Sequence, residues 1–192
     1  RHPRQVLHSN YVPQLLTTLE DKLLLLSKTG IDNTAVLHFD EAMARLSAFE
    51  FMQQVLRDRL KVKQLIIGYD NRFGHNREEK FDDYARYGRE LGIEVVHSEA
   101  FLLHGVNVSS SVIRSFLQAG EVEMARQCLG YPYTFAGKVM HGYWQGHKMG
   151  FPTANIDTSE SGQLTPEPGV YAVNIKVEND AEVHHGMMNI GT

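Results

Sequence analysis

The stretch that decides the fold is Gln64-Leu65-Ile66-Ile67-Gly68-Tyr69-Asp70-Asn71-Arg72-Phe73-Gly74. Its first five residues have the short apolar character of a buried strand, and a polar loop bounded by glycines follows directly. Apolar residues recur at helical spacing over 47–60 and again over 82–91, and a second apolar run covers 93–96. This alternation predicts an α/β domain with a mostly parallel sheet covered by helices, whose ligands bind at the carboxyl ends of the strands.

The apolar pattern predicts further helices and a further strand in the first two thirds of the chain. Leucines at helical spacing predict a helix over 13–28 that stops at Gly30, and a short apolar run predicts a strand over 35–39. Two more helices are predicted over 110–119 and 121–129, separated by a glycine.

After Pro132 the pattern changes. Helical spacing disappears, glycine and proline become frequent, and three runs have the character of strands, at 133–141, 169–177 and 183–190. We therefore place a domain boundary near residue 131 and expect an all-β barrel or sandwich after it. About three strands are too few for a self-sufficient β-domain, so we expect more chain to follow.

The composition excludes several classes of function. The 192 residues carry 19 Lys and Arg against 23 Asp and Glu, a net charge of -4, which argues against nucleic acid or an anionic membrane surface as a partner. No apolar run approaches the roughly 20 residues that span a bilayer. A single cysteine, Cys128, cannot form an internal disulfide and suits a reducing compartment, so we expect a cytoplasmic protein.

The loop after the predicted strand 64–68 is the first candidate binding site. Tyr69, Asp70, Arg72 and Phe73 place a carboxylate, a guanidinium and two aromatic rings between glycines. This set suits a flat polar heterocycle held by stacking and hydrogen bonds. The alternative is an Asp70–Arg72 ion pair in a purely structural turn.

A second candidate lies where the helix over 110–119 begins. Ser109, Ser110 and Ser111 stand at its start and Arg114 one turn inside it. Free backbone N–H groups, hydroxyls and a guanidinium together predict a phosphate-binding site with Arg114 as the stabiliser of phosphate charge. The alternative is an ordinary serine cap beside a solvated arginine.

A third candidate is the glycine-rich segment before and around residue 150. Gly146, Lys148 and Gly150 lead to Thr153 and Asn155, but the spacing is not that of a Walker A loop. Glycines permit close backbone approach to phosphate, and the Thr153 and Asn155 side chains carry oxygen atoms of the kind that Mg²⁺ prefers. The alternative is a set of glycines that only form β-turns.

Taken in this order, the three motifs resemble the bacterial bifunctional riboflavin kinase/FAD synthetase family, and the resemblance covers essentially the whole chain. The segments that carry it are Pro3 within 2–7, the loop 68–74, the element 109–114 with Gly120 and Leu129-Gly130, then 150–155, 168–172 and 189–191.

The resemblance implies two activities in two domains. Residues 1–130 would belong to a Rossmann-like nucleotidyltransferase domain that joins FMN to the AMP part of ATP, and residues 131–192 to the start of a kinase barrel that phosphorylates riboflavin. By carry-over, Ser109 to Ser111 and Arg114 would hold ATP phosphates, and Tyr69 to Phe73 would lie beside flavin or nucleotide. Gly146, Lys148, Gly150, Thr153 and Asn155 would bind ATP in the kinase, the last two with Mg²⁺.

The chain also departs from the family pattern. Asn71 stands where the family often carries a ring, and Ser111 replaces a frequent threonine but keeps the hydroxyl. The family's His-x-Gly-His segment and its kinase-domain glutamate are not in the sequence, so we expect truncation at both ends, with the main catalytic residues outside this chain. A non-catalytic flavin- or nucleotide-binding module and a single-activity nucleotidyltransferase stay as alternatives, and nothing in the sequence indicates an oligomeric state.

Overall fold

The computed structural model describes residues 14–75, 77–142, 150 and 153–191. This part of the chain divides into two compact units, one of residues 35–107 and the other of residues 14–34 together with 108–191. The described helices are α1 (Leu19–Ser27), α2 (Glu41–Arg45), α3 (Ala48–Glu50) continued by a π-helix (Phe51–Arg59), α4 (Phe81–Leu91), α5 (Ser110–Gln118) and α6 (Val122–Leu129). The strands are β1 (Gln64–Gly68), β2 (Glu94–Ser98), β3 (Leu102–Leu103), β4 (Val106–Asn107), β5 (Lys138–Met140), β6 (Asn155–Asp157), β7 (Gly169–Lys176) and β8 (Val183–Ile190).

The unit of residues 35–107 is organised by a parallel strand pair. β1 pairs with β2 so that Gly68 lies opposite Ser98, and the two carboxyl ends therefore meet at one edge. α4 connects these strands and packs against β2. The two strands and the helix between them confirm the βαβ unit predicted around the stretch 64–74.

Apolar side chains from the helices close over this strand pair. The π-helix buries Met52, Val55 and Leu56, which confirms the apolar stripe predicted over 47–60. Its backbone is wound more loosely than the prediction assumed, because the Leu60 N–H donates to the carbonyl oxygen of Val55, five residues back, at 3.0 Å. The buried core of this unit comprises Ala48, Met52, Leu56, Ile67, Tyr84, Leu91 and Ile93.

The strand predicted over 35–39 is wrong. These residues form no ladder with any strand in the described ranges, and Val36 is 58% exposed. An apolar run becomes a strand only where a neighbouring strand satisfies its backbone N–H and C=O groups. Apart from β1 and β2, the described strands of this unit are the short antiparallel pair β3 and β4.

In the other unit, α5 and α6 pack on each other around a second core. Ile113, Leu117, Ala125 and Leu164 are its buried residues. Both helices are as predicted, and Gly120 and Gly130 after them adopt φ of +76° and +79°, the left-handed conformation that ends a helix. Two of the strands predicted after Pro132, 169–177 and 183–190, are confirmed as the antiparallel pair β7 and β8. The predicted strand 133–141 is shortened to β5, which pairs antiparallel with β6, a strand that was not predicted.

The helix predicted over 13–28 is shorter than expected. α1 begins after Thr18, whose hydroxyl accepts a hydrogen bond from the Asp21 N–H at 3.1 Å. Before it, the Leu15 N–H donates to the carbonyl oxygen of Gly162 at 2.9 Å, and the Leu164 N–H donates to that of Leu15 at 2.9 Å. This pairing with a distant segment overrides the local helical preference of 13–17.

None of the helices within the described ranges combines the length and apolarity needed to cross a bilayer.

Candidate functional site

A cavity of about 460 Å³ opens at the edge where β1 and β2 end. The loop after β1 forms one wall, and the start of α4 with the end of β2 forms another. Its lining residues are Ile67, Gly68, Tyr69, Asp70, Asn71, Arg72, Glu79, Lys80, Phe81, Tyr84 and His97. This is the position at which α/β sheets bind ligands, as the βαβ prediction requires.

Three of the four loop residues predicted to bind a ligand line this cavity. Tyr69 is 48% exposed, and Asp70 and Arg72 lie beside it. The Asn71 N–H donates to the carbonyl oxygen of Gly68 at 3.0 Å, which makes the loop turn tightly after β1. Within the described part of the chain neither Asp70 nor Arg72 takes part in a salt bridge, so the alternative of an Asp70–Arg72 pair finds no support.

Phe73, the fourth predicted residue, packs into the core of this unit. Its ring stacks on the Tyr84 ring with centroids 4.5 Å apart and lies 5.5 Å from the Phe51 ring. The Tyr84 hydroxyl donates to the Phe73 carbonyl oxygen at 3.1 Å and accepts from the Phe73 N–H at 3.0 Å. Phe73 therefore anchors the loop, and its predicted contact with a ligand stays a prediction.

Tyr84 holds this loop as a neutral phenol. Burial is the main cause that raises the pKa of its hydroxyl, and the negative charge of Glu79 acts in the same direction, whereas the hydrogen bond with Phe73 opposes it. A tyrosine hydroxyl is protonated at neutral pH and can donate and accept at once, and the raised pKa extends this state to higher pH.

Sequence reasoning missed the opposite wall of the cavity. The Phe81 and His97 rings stack with centroids 4.5 Å apart, and His97 Nε2 lies 3.4 Å from the Tyr69 carbonyl oxygen. Glu79 and Lys80 precede the helix that follows the loop. The available signal was positional, because His97 lies at the end of the second parallel strand and parallel strands end at a common edge.

The serines at the start of α5 include an ordinary helix cap. The Ser109 hydroxyl accepts from the Val112 N–H at 3.3 Å, which is the alternative considered for this motif. Ser110 and Ser111 occupy the first turn of the helix and are at least partly exposed.

Arg114 is fixed at one end only. Its Nε donates to the carbonyl oxygen of Gln14 at 2.8 Å. Its terminal amino groups make no hydrogen bond with the described residues. A guanidinium held in this way is pre-organised, and its two amino groups form the fork that binds phosphate oxygens.

The third motif is described in part. Gly146 and Lys148 lie outside the described residues. Asn155 begins β6 opposite Met140, and its carboxamide lies against Gly142, where a Cβ would overlap it. Thr153 is exposed two residues earlier, and Gly150 adopts φ of +81° with open space around it. Because Gly142 has no Cβ, it leaves room for the Asn155 carboxamide. Asn155 is the predicted metal ligand that lies on a described strand, β6.

A shallower cavity of about 420 Å³ lies between the start of α1 and the β5–β6 pair. Lys138 and Glu160 form an ion pair at its edge, with Nζ and Oε2 2.6 Å apart. Neither Thr153 nor Asn155 is among the described residues that line it.

Comparison with known proteins accounts for the order of these motifs. The family model for FAD synthetase matches residues 1–112, more than half of the chain, and the one for riboflavin kinase matches residues 129–192. The chain belongs to the bifunctional riboflavin kinase/FAD synthetase family. The resemblance predicted from the three motifs is confirmed.

Relatives in this family align with nearly all of the chain. The bifunctional riboflavin kinase/FMN adenylyltransferase of Escherichia coli strain K12 is 35% identical over 99% of this chain and 60% of its own length. Its counterparts in Listeria monocytogenes and Bacillus subtilis are 40% and 36% identical, each over 99% of this chain and 59% of the relative. The chain thus spans about 60% of the length of the curated relatives that it matches.

A crystal structure described as a macrolide-efflux protein from Streptococcus pneumoniae has the same fold. It superposes with a TM-score of 0.83 at 26% identity, over 98% of this chain and 60% of that one.

Proposed function

We propose that the protein to which this chain belongs makes both flavin cofactors. It transfers the γ-phosphoryl group of ATP to riboflavin, giving FMN and ADP, and then joins FMN to the AMP part of a second ATP, giving FAD and pyrophosphate. The observation that carries the proposal is the tandem match of one chain to FAD synthetase and then to riboflavin kinase.

Adenylyl transfer is assigned to two of the described elements. The cavity beside Tyr69, Asp70 and Arg72 takes a planar ring of the flavin or the nucleotide. Arg114, with the hydroxyls of Ser110 and Ser111, holds phosphates of ATP. Transfer at phosphorus depends on positioning and on neutralising negative charge, and an arginine whose terminal amino groups bond to none of the described residues can do both.

The kinase step is assigned to the third motif. Gly146, Lys148 and Gly150 approach the phosphates of ATP, and Thr153 and Asn155 hold Mg²⁺. The donor chemistry fits this ion, because both side chains offer uncharged oxygen atoms and the Asn155 carboxamide packs against Gly142, where a Cβ would displace it. When bound, Mg²⁺ neutralises the charge of the phosphates, while Asn155 and Thr153 orient it.

The proposal also includes the fold of each of the two domains. Residues 1–130 form a Rossmann-like nucleotidyltransferase domain whose parallel sheet includes β1 and β2. Residues 131–192 form the first part of a riboflavin kinase barrel that includes β5 to β8. The protein works in the cytoplasm, on small molecules only.

Product analysis tests the function directly. The intact protein, given riboflavin, ATP and Mg²⁺, should form FMN and then FAD with release of pyrophosphate, as followed by chromatography with flavin fluorescence. Binding of flavin without turnover would favour a non-catalytic module. Adenylyl transfer without kinase activity would favour a single-activity nucleotidyltransferase.

Two substitutions test whether adenylyl transfer and the kinase reaction use different residues. Arg114→Ala should lower FAD formation from FMN by roughly a hundredfold and leave FMN formation unchanged, because a charge-stabilising donor is lost at one site only. Thr153→Ala should lower FMN formation and leave FAD formation from added FMN unchanged. Arg126→Ala and Thr165→Ala are matched controls, since Arg126 forms an exposed ion pair and Thr165 is exposed. Equal loss of both reactions in either test variant would contradict the assignment.

A further inference from the structure

The direction of the Arg114 side chain depends on the backbone at residue 14. The Arg114 Nε donates to the Gln14 carbonyl oxygen at 2.8 Å. One turn further along α5, the side-chain amide of Gln118 donates to Gln14 Oε1 at 3.2 Å. Gln14 is therefore in contact with two residues of the same helix, and the guanidinium points where the Gln14 carbonyl directs it.

The Gln14 carbonyl shares one peptide group with the Leu15 N–H. This N–H donates to the carbonyl oxygen of Gly162 at 2.9 Å. The peptide bond is trans, so its C=O and N–H lie in one plane and point in opposite directions. The hydrogen bond from Leu15 to Gly162 therefore fixes the direction in which the Gln14 carbonyl meets Arg114.

Gln163 holds the segment that provides this bond. Its side chain is 8% exposed, and both ends of its carboxamide are used: Oε1 accepts from the Ala136 N–H at 3.2 Å, and Nε2 donates to the Thr134 carbonyl oxygen at 3.0 Å. On its other side, the Leu164 N–H donates to the Leu15 carbonyl oxygen at 2.9 Å. Without the Gln163 carboxamide, the partner groups at 134 and 136 lose these bonds and the segment loses its fixed position.

These contacts connect the two parts of the chain that the family models distinguish. Gln163 lies in the part that matches riboflavin kinase, whereas Arg114 is assigned to adenylyl transfer, and both belong to the same compact unit. We infer that Gln163 is a positioning residue for adenylyl transfer, which acts on Arg114 through Gly162 and the peptide group between Gln14 and Leu15. The inference rests on the proposed function, in which Arg114 holds phosphates of ATP.

A double-mutant cycle on the intact protein tests this role. Gln163→Met removes both side-chain hydrogen bonds and nearly conserves the volume of the side chain. It should lower kcat/KM for FAD formation from FMN and ATP by roughly tenfold, because a released arginine must be ordered each time ATP binds. In an Arg114→Ala background, Gln163→Met should cause no further loss, since the side chain that it positions is absent.

A spectroscopic measurement follows the arginine itself. The Arg114 Nε–H signal can be assigned in ¹⁵N NMR spectra by its absence from Arg114→Ala. Its exchange with solvent should be faster in Gln163→Met than in wild type, because the carbonyl that accepts this proton is no longer fixed.

Two further variants separate positioning from stability. Val122→Ala is the matched control, because Val122 packs partly buried against the core that contains Leu164 but lies outside the hydrogen bonds to Gln14 and Leu15. It should lower the thermal midpoint and leave FAD formation unchanged below the unfolding transition. Gln163→Asn keeps the carboxamide and shortens its reach, so it serves if Gln163→Met does not fold. Its smaller loss should also disappear without Arg114.

The inference and the proposed function fail in different ways. If wild type forms FAD, but the Gln163 variants lose the same factor with and without Arg114, or leave exchange of the Arg114 Nε–H unchanged, Gln163 does not position Arg114. The inference is then overturned and the proposed function stands. If wild type forms no FAD from FMN and ATP, the proposed function fails and the inference fails with it.

Discussion

Replacing Tyr84 by phenylalanine tests how the candidate ligand loop is held. Tyr84 is 1% exposed, and the ring of a phenylalanine would fill the same space, so the core around it stays packed. The change removes both hydrogen bonds to the Phe73 backbone, at 3.0 and 3.1 Å. At about 0.5–1.5 kcal/mol each, their loss should lower the free energy of unfolding by about 1–3 kcal/mol.

The assay is urea denaturation combined with hydrogen exchange of the Phe73 amide. A loss of about 2 kcal/mol should lower the denaturation midpoint by roughly 1 M urea, and the Phe73 amide should exchange faster in the variant. Ligand binding at the cavity should weaken in parallel, because the loop that carries Tyr69 and Arg72 loses its anchor.

Tyr87→Phe is the matched control. Tyr87 lies on the same helix, with its ring edge-on to Phe49 at 5.3 Å, and its hydroxyl makes no hydrogen bond with the described residues. It should lose no more than a few tenths of a kcal/mol. Equal destabilisation by the two substitutions, or an unchanged exchange rate at Phe73, would refute the role given to Tyr84.

Two further predictions concern stability. Gly88→Ala should destabilise the unit of residues 35–107 by about 1–2 kcal/mol in thermal or urea unfolding, since its Cβ would lie 2.5 Å from both the Ile93 carbonyl oxygen and a Val95 methyl group. This overlap outweighs the gain of about 1 kcal/mol in helix propensity. An unchanged unfolding midpoint would mean that α4 shifts freely on β2. Burial raises the pKa of Tyr133 to about 12, and its hydroxyl donates to the Leu164 carbonyl oxygen at 2.6 Å. The unfolded state therefore loses this proton near pH 10 while the folded state keeps it, so stability is complete below pH 10 and falls as the pH rises towards 12. Tyr133→Phe should flatten that fall, and an unchanged pH profile would place its cause elsewhere.

Local patterns predicted those parts of the fold that local physics decides. Apolar runs and helical spacing located β1, β2, α4, α5 and α6, because each of these elements buries one face against a neighbour close in sequence. The strand expected over 35–39 failed because no described strand pairs with it. The start of α1 was placed too early because Leu15 is used in a pairing with Gly162 and Leu164, which no local pattern can indicate.

The residues of the candidate site were also predicted only where local sequence decides their position. The position of the loop directly after a strand placed Tyr69, Asp70 and Arg72 correctly at the cavity. The Phe73 ring packs against the core, which was not predicted, because a residue type does not reveal which way its side chain points. Glu79 and His97 come from other elements, and only the folded sheet edge brings them to the loop.

The pairing of Leu15 with Gly162 and Leu164 has a consequence for synthesis. Its partners follow it by about 150 residues along the chain. At roughly 5–20 residues per second, the ribosome needs roughly 8 to 30 seconds to deliver them after Leu15 has been made. Residues 14–16 therefore emerge long before the backbone groups that complete them, and their native hydrogen bonds form only after Leu164 has been made.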